Sequence, residues 1–213
     1  ILLLGNILYI GLVTISQRKL DLMLGYSSVM HMGYLFLGIL SWKTLGLTGA
    51  AVMLVAHGLS IAALFALSGE LRERTGTLDF SELGGLAKTM PTFGLLFGFA
   101  AMAAVGLPGF ANFAGELMVF FGAFSAGTPV KSGFNEFQIA TVVAVWGVVI
   151  SAVYMLRSYR RIFMGPIVEK WKALPDIAAL PRLCVVGLIL LLLIAGFFPQ
   201  VLISYIAPAL IWP

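Results

Sequence analysis

A chain of 213 residues that is 61% hydrophobic and 10% charged, with a mean hydropathy of +1.05, cannot build a soluble surface, because soluble domains carry roughly 45–50% apolar and about 25% charged residues. Lipid is the solvent that suits this composition. The formal charge is +4, and Cys184 is the single cysteine, which excludes an internal disulfide framework and a cysteine metal cluster.

The chain opens on Ile1 inside an apolar run that reaches Ser16. The run lacks the basic start and small-residue cleavage site of a signal peptide. It reads as the middle of a helix, and the chain as a fragment of a longer one. A helix needs about 20 mostly apolar residues to cross the hydrocarbon core. Segments 1–16, 22–42, 47–69, 92–125, 139–159 and 182–206 qualify. The fourth is too long for one straight span and contains Gly106-Leu107-Pro108-Gly109, where proline removes a donor and clashes with the preceding turn. The short alternating strands of a membrane barrel are absent from the pattern. The expected fold is therefore all-α. It is a polytopic membrane helix bundle of about six transmembrane helices, the fourth broken near Gly106–Gly109, and residues 1–213 form a single transmembrane domain.

With six spans, residues 17–21, 70–91 and 160–181 and their margins share one side. That side carries Arg18, Lys19, Arg72, Arg74, Lys88, Arg157, Arg160, Arg161, Lys170, Lys172 and Arg182, against Lys43 and Lys131 on the other. This is a positive-inside pattern, which puts the basic side in the cytoplasm or its equivalent. The charge is a topology signal and gives no reason to expect nucleic acid as a partner. In the longest loop, Glu70 to Arg74 and then Thr75-Gly76-Thr77 read as a helix end and turn. Phe80, Leu83 and Leu86 are expected at the membrane interface, as are Trp171 and Lys172 in the later loop.

Ionisable groups inside spans are costly and face the protein interior, a cavity or a partner. Glu116 is the only acid deep in a span, and it follows the Gly-Leu-Pro-Gly interruption. An acid beside a broken helix suits an ion or proton site; the bland alternative is a carboxyl satisfied by a neighbouring helix. His31 and His57 lie mid-span. An imidazole can accept a proton on one nitrogen and release one from the other, or it can simply bond across helices. Ser27, Ser28 and Ser60 lie close to them in sequence and could bond them or hold water, or serve packing alone. Two histidines on different helices make a poor metal or haem signature. Gly33, Gly58 and Gly122 suggest close helix approach. Arg18, Lys19 and Asp21 suggest a snorkelling cluster at a span entrance. With no nucleotide or redox motif, the residues by themselves indicate a polytopic protein that moves protons or cations, driven by an ion gradient or a partner.

Four stretches go further. Tyr26-Ser27-Ser28-Val29-Met30-His31-Met32-Gly33 resembles the Ala-Tyr-Ser-Ser-Val-Ser-His-Met-Gly signature of the antiporter-like membrane subunits of respiratory complex I, the proton-pumping NADH:quinone oxidoreductase. Ala56-His57-Gly58-Leu59-Ser60 through Leu64-Phe65 resembles their next helix, Leu83-Gly84-Gly85-Leu86-Ala87 the following loop, and Gly106-Leu107-Pro108-Gly109 through Glu116 their second broken helix. Order and spacing agree over essentially the whole chain. Within the family, glutamate at the broken helix, where sister subunits carry lysine, resembles the branch called subunit M or chain 4. The absence of a long lateral helix after the last span points the same way.

The resemblance implies a whole chain of about 14 helices in two inverted repeats, of which this is the last part. It implies proton translocation along a hydrated mid-membrane axis, with His31 and His57 on that axis and Glu116 at its far end. It implies no cofactor in this chain, with NADH, flavin, iron-sulfur clusters and quinone held by other subunits. The implied partners are sister antiporter-like subunits and the lipid of a bacterial inner or equivalent energy-transducing membrane. One stretch departs from the pattern: where the family has an acid, an aliphatic residue and then Lys-Arg, this chain has Lys19-Leu20-Asp21-Leu22. The competing readings are the homologous subunit of a multi-subunit sodium/proton antiporter or membrane-bound hydrogenase, and a membrane scaffold that does not pump.

Overall fold

The computed structural model describes residues 2–128 and 133–210. Ile1 and Lys131, which entered the first span and the charge count, lie outside the described residues. Eight helices follow one another among those described. They are α1 (Leu2–Ser16), α2 (Leu20–Leu40), α3 (Thr44–Thr75), α4 (Pro91–Val105), α5 (Ala111–Phe124), α6 (Glu136–Phe163), α7 (Ala179–Phe197) and α8 (Gln200–Ala209). Helices α2, α3, α6 and α7 are long and apolar enough to cross a membrane. Helix α1 is shorter and widens into a π-helical turn at Asn6–Ile10, where Asn6 Nδ2 donates to the Val29 carbonyl of α2 at 2.8 Å.

The expected interruption of the fourth span is present. Helix α4 ends at Gly106, which adopts φ +79°, a left-handed conformation that only glycine takes cheaply. Its N–H returns to the Ala103 carbonyl at 3.1 Å, and the Leu107 N–H returns to Met102 at 3.2 Å, so a glycine cap absorbs the last carbonyls. Pro108 has no N–H to extend the ladder, Gly109 turns at φ +101°, and α5 restarts at Ala111.

The sixth span corrects the expectation. The apolar run 182–206 is two helices, since α7 stops at Phe197 and α8 starts at Gln200. Phe198 leaves helical geometry with ψ 63°. The cause is Pro199, which lacks an N–H for the preceding turn and disfavours the α conformation of the residue before it.

The most intimate crossing joins α3 to α5, and glycines on both helices permit it. A Cβ on Gly49 would stand 2.6 Å from the Val119 backbone nitrogen, and one on Gly115 would stand 2.9 Å from Met53. Gly122 lies directly against the Gly46 backbone. Small residues let backbones approach in lipid, where packing must replace the hydrophobic drive. Gly33 also meets a neighbour, Ile7, but Gly58 faces open space, contrary to the close approach expected of it.

The three loops expected on one side are tied together there. Leu20 N–H donates to Leu78 at 3.0 Å and Phe80 N–H to Arg18 at 2.9 Å, while Asp21 pairs with Arg72. This pairing gives the departure at Lys19-Leu20-Asp21 a local role, with the acid holding an arginine in the last turns of α3. Gly85 N–H donates to Met164 at 3.1 Å, and Trp171 Nε1 donates to Glu82 at 2.9 Å. Phe80, Leu83, Leu86 and Trp171 are buried against the chain itself beneath this layer. At the opposite end, Asn135 and Gln138 form a reciprocal capping box that starts α6.

Candidate functional site

Polar side chains converge at the centre of the bundle from α2, α3, α5 and α6. On α2, Ser27, His31 and Tyr34 fall on one face, at helical spacing. On α3, His57 and Ser60 do the same, and on α5 Asn112 and Glu116 are one turn apart. His31 and His57 are 1% and 3% exposed, so both imidazoles point into the bundle. Their rings stack at 4.9 Å between centroids with planes 20° apart.

Hydrogen bonds orient the rings. His31 Nδ1 lies 2.8 Å from the Ser27 carbonyl. A carbonyl only accepts, so Nδ1 carries the proton and, in the neutral ring, Nε2 is left as an acceptor. The Ala104 carbonyl, in the last turn of α4 before the break, also lies toward this ring without closing a bond to Nε2. His57 Nε2 meets Ser28 Oγ at 3.0 Å. Ser60 Oγ donates to the His57 carbonyl at 3.1 Å and accepts from Asn112 Nδ2 at 3.3 Å. Thus Ser28 and Ser60 both touch His57, and Ser27 holds His31 through its carbonyl while its hydroxyl bonds Tyr154 at 2.7 Å.

Glu116 is 4% exposed, and among the described residues no ion pair involves it. Its carboxyl lies against Gly106, where any Cβ would overlap it. The break therefore serves the site twice, by ending α4 and by making room for the acid. Gly109 has a different neighbour: its carbonyl packs against Gly196, which seats α7 in the interruption. Pro108 removes a donor from the helix ladder, and the cluster's hydrogen bonds among the described residues do not include it.

Three members went unmarked in the sequence reading. Tyr34 stands edge-on to His31 at 5.6 Å and to Phe120 at 5.5 Å. Asn112 bonds Ser60, and Tyr154 bonds Ser27. The spacing of Asn112 four before Glu116, and of Tyr34 three after His31, was a usable signal. Tyr154 has no such local sign, because its partner lies 127 residues away. Four buried side-chain atoms lack partners among the described residues, namely His31 Nε2, His57 Nδ1, Tyr34 Oη and Asn112 Oδ1. All four belong to this one cluster, and buried polar groups are ordinarily satisfied. The arrangement can therefore hold, orient and pass protons between groups that remain free to bond.

Residues 1–151 match the family model described as NADH:quinone oxidoreductase/Mrp antiporter, TM. The chain is 40% identical over 198 residues to NAD(P)H-quinone oxidoreductase chain 4 1 of Synechococcus elongatus, covering 92% of this chain and 36% of that protein. It is 34% identical over 204 residues to NADH-quinone oxidoreductase subunit M of Mycobacterium tuberculosis, covering 96% of this chain and 35% of that one. It superposes on a chain of respiratory complex I from Thermus thermophilus with a TM-score of 0.86 at 29% identity, covering 98% of this chain and 43% of the other. The chain thus spans about a third of the length of the curated relatives it matches.

Proposed function

This chain belongs to the NADH:quinone oxidoreductase/Mrp antiporter membrane family, and on that premise we propose that it conducts protons across an energy-transducing membrane as part of the M, or chain 4, subunit of NADH:quinone oxidoreductase. The observation that carries the proposal is the buried cluster of Glu116, His57 and His31 beside the broken helix, with its four polar atoms left free. Ionisable groups at such depth are too costly to be incidental.

In this reading, a proton reaching His31 Nε2 forms an imidazolium whose Nδ1–H stays anchored on the Ser27 carbonyl. The stacked rings make no mutual hydrogen bond in that geometry, so transfer between them passes through water or Ser28, which bonds His57 Nε2. Two imidazolium charges 4.9 Å apart would repel by about 3 kcal/mol at an effective dielectric of about 20. The pair therefore carries one charge at a time, which favours passing a proton on over storing two. Ser60 and Asn112 extend the polar contacts to the helix turn that carries Glu116.

The redox work, with NADH, flavin, iron-sulfur clusters and quinone, falls in this reading to other subunits, and sister antiporter-like subunits are the membrane partners. The membrane is a bacterial inner membrane or its equivalent, with the basic face on the cytoplasmic side. The family description also names Mrp antiporters, and sodium-coupled proton exchange without quinone reduction would favour that reading.

The test is Glu116→Gln in the full-length subunit within its reconstituted complex. The variant keeps the shape and removes the titration. It should assemble normally and lose about tenfold or more of its proton translocation, and Glu116→Asp should retain part of it. A Gln variant that assembles and pumps the wild-type number of protons per electron would make Glu116 a packing residue and the chain a scaffold.

A further inference from the structure

The basic end of α6 carries a second feature, separate from the buried cluster. Arg157, Arg160 and Arg161 line a concave pocket of 610 Å³, completed by Gly84, Met164 and Pro166. No carboxylate lines it. Elsewhere on this face Arg72 pairs with Asp21, Arg74 with Glu70 and Lys172 with Glu169, while the arginines gathered in this pocket have no carboxylate beside them. Arg160 and Arg161 are exposed and make no ion pair among the described residues. Arg157 gives one N–H to the Ile15 carbonyl and keeps its other donors. Guanidinium groups match phosphate oxygens with paired hydrogen bonds.

An apolar groove of 360 Å³ runs between α4 and α6, lined by Gly98, Phe99, Met102, Ala152, Leu156 and Tyr159. Its size falls within the range of about 300–1,000 Å³ typical of ligand sites. Leu156 lines the groove, and Arg160, one turn further along the same helix, lines the basic pocket. The outward face of α6 leads to the same place, with Val145, Val149, Val153 and Leu156 exposed at helical spacing before Arg160. A free anion would use the arginines and leave the groove empty. A molecule with a negative head and an apolar tail uses both.

We propose that this end of α6 binds one anionic phospholipid, with its phosphate on Arg157, Arg160 and Arg161 and an acyl chain in the groove between α4 and α6. Arginines at a membrane surface attract anionic lipid diffusely in any case. A built site differs in retaining one lipid through detergent and in selecting its head group.

The experiment uses the complete complex purified in mild detergent and exchanged against vesicles of phosphatidylglycerol or phosphatidylcholine, with lipid retained per complex counted by mass spectrometry. The site predicts one phosphatidylglycerol retained that phosphatidylcholine does not replace and that inorganic phosphate does not displace. In Arg160→Gln/Arg161→Gln its affinity should fall about tenfold, and in Arg160→Lys/Arg161→Lys much of it should remain. Equal retention of both lipids, displacement by phosphate alone, or an unchanged Gln/Gln variant overturns the proposal. So does efficient crosslinking of Met164→Cys to a neighbouring subunit across this face. The wild-type exchange decides the matter even if the Gln/Gln variant fails to assemble.

Discussion

The Tyr34 hydroxyl is fully buried and bonds nothing among the described residues. Leaving a buried donor unmet costs roughly 1–3 kcal/mol, so a residue kept only for packing would do better as phenylalanine. Its ring packs edge-on against His31 and Phe120, and its oxygen lies close against Gly147 of α6. Tyr34→Phe preserves those ring contacts and removes only the hydroxyl. The subunit should therefore keep its thermal stability or gain about 1 kcal/mol, while proton translocation in the complex should fall severalfold if the hydroxyl bridges water within the cluster. Measured together, the two readouts separate the roles. Loss of stability with unchanged pumping would make Tyr34 a structural residue.

Among the elements, α4 is the half-helix whose position matters most to the site, because its last turn faces His31 and its cap touches Glu116. Its start is held from far away. Met90 offers no side-chain cap and Pro91 has no N–H, so the Asp176 carboxylate, 84 residues later, accepts from the N–H groups of Thr92 at 2.8 Å and Phe93 at 3.0 Å. Arg74 fixes that loop by donating to the Pro175 carbonyl at 2.7 Å and the Asp176 carbonyl at 3.0 Å. Partial burial raises the Asp176 carboxyl, but N–H bonds from Ile177, Thr92 and Phe93 outweigh it and hold the group below its usual 3.8. A carboxyl that is more acidic when folded adds stability above its unfolded pKa and loses it as pH falls through the folded value. Asp176→Ala should therefore cost about 1 kcal/mol, as lost caps do. In thermal unfolding of the purified subunit the difference should be constant well above the usual carboxyl range and fade as pH falls below 3.8 and through the lowered folded value. A gap that persists in acid would assign the loss to packing. None of this strap was legible in the sequence, since a cap normally comes from the residue beside the helix. By contrast, the break at Gly106–Gly109 was legible because a glycine–proline cluster interrupts an apolar run. The break at Phe198-Pro199 was not, because Pro199 and Gln200 sit between apolar residues on both sides and too briefly to end the run.

At the scale of the whole molecule, hydropathy located the apolar helices, four of which are long enough to cross a membrane, while loop charge supplies the expected sense of the bundle. Helix lengths shifted where polar residues continue a helix beyond lipid, as in α3, which runs through Glu70 to Thr75. Within the site, Glu116, His31 and His57 were legible because charge is scarce in an apolar chain. Tyr154 became visible only through folding. The same topology makes a prediction about sidedness that does not depend on function. The loops 17–21, 70–91 and 160–181 are hydrogen-bonded to one another, and Lys43 lies at the turn between α2 and α3, one helix length away. The exposed Cys184 is first replaced by serine to remove background labelling. Single cysteines at Lys172 and Lys43, both exposed, are then introduced into the full-length subunit. In sealed inverted vesicles, an impermeant maleimide should label Lys172→Cys and leave Lys43→Cys unlabelled until the membrane is opened. In right-side-out vesicles the order should reverse, because the basic face stays on the cytoplasmic side. Labelling of both positions from one side would break the bundle's topology, and a reversed order would keep the bundle and invert it in the membrane.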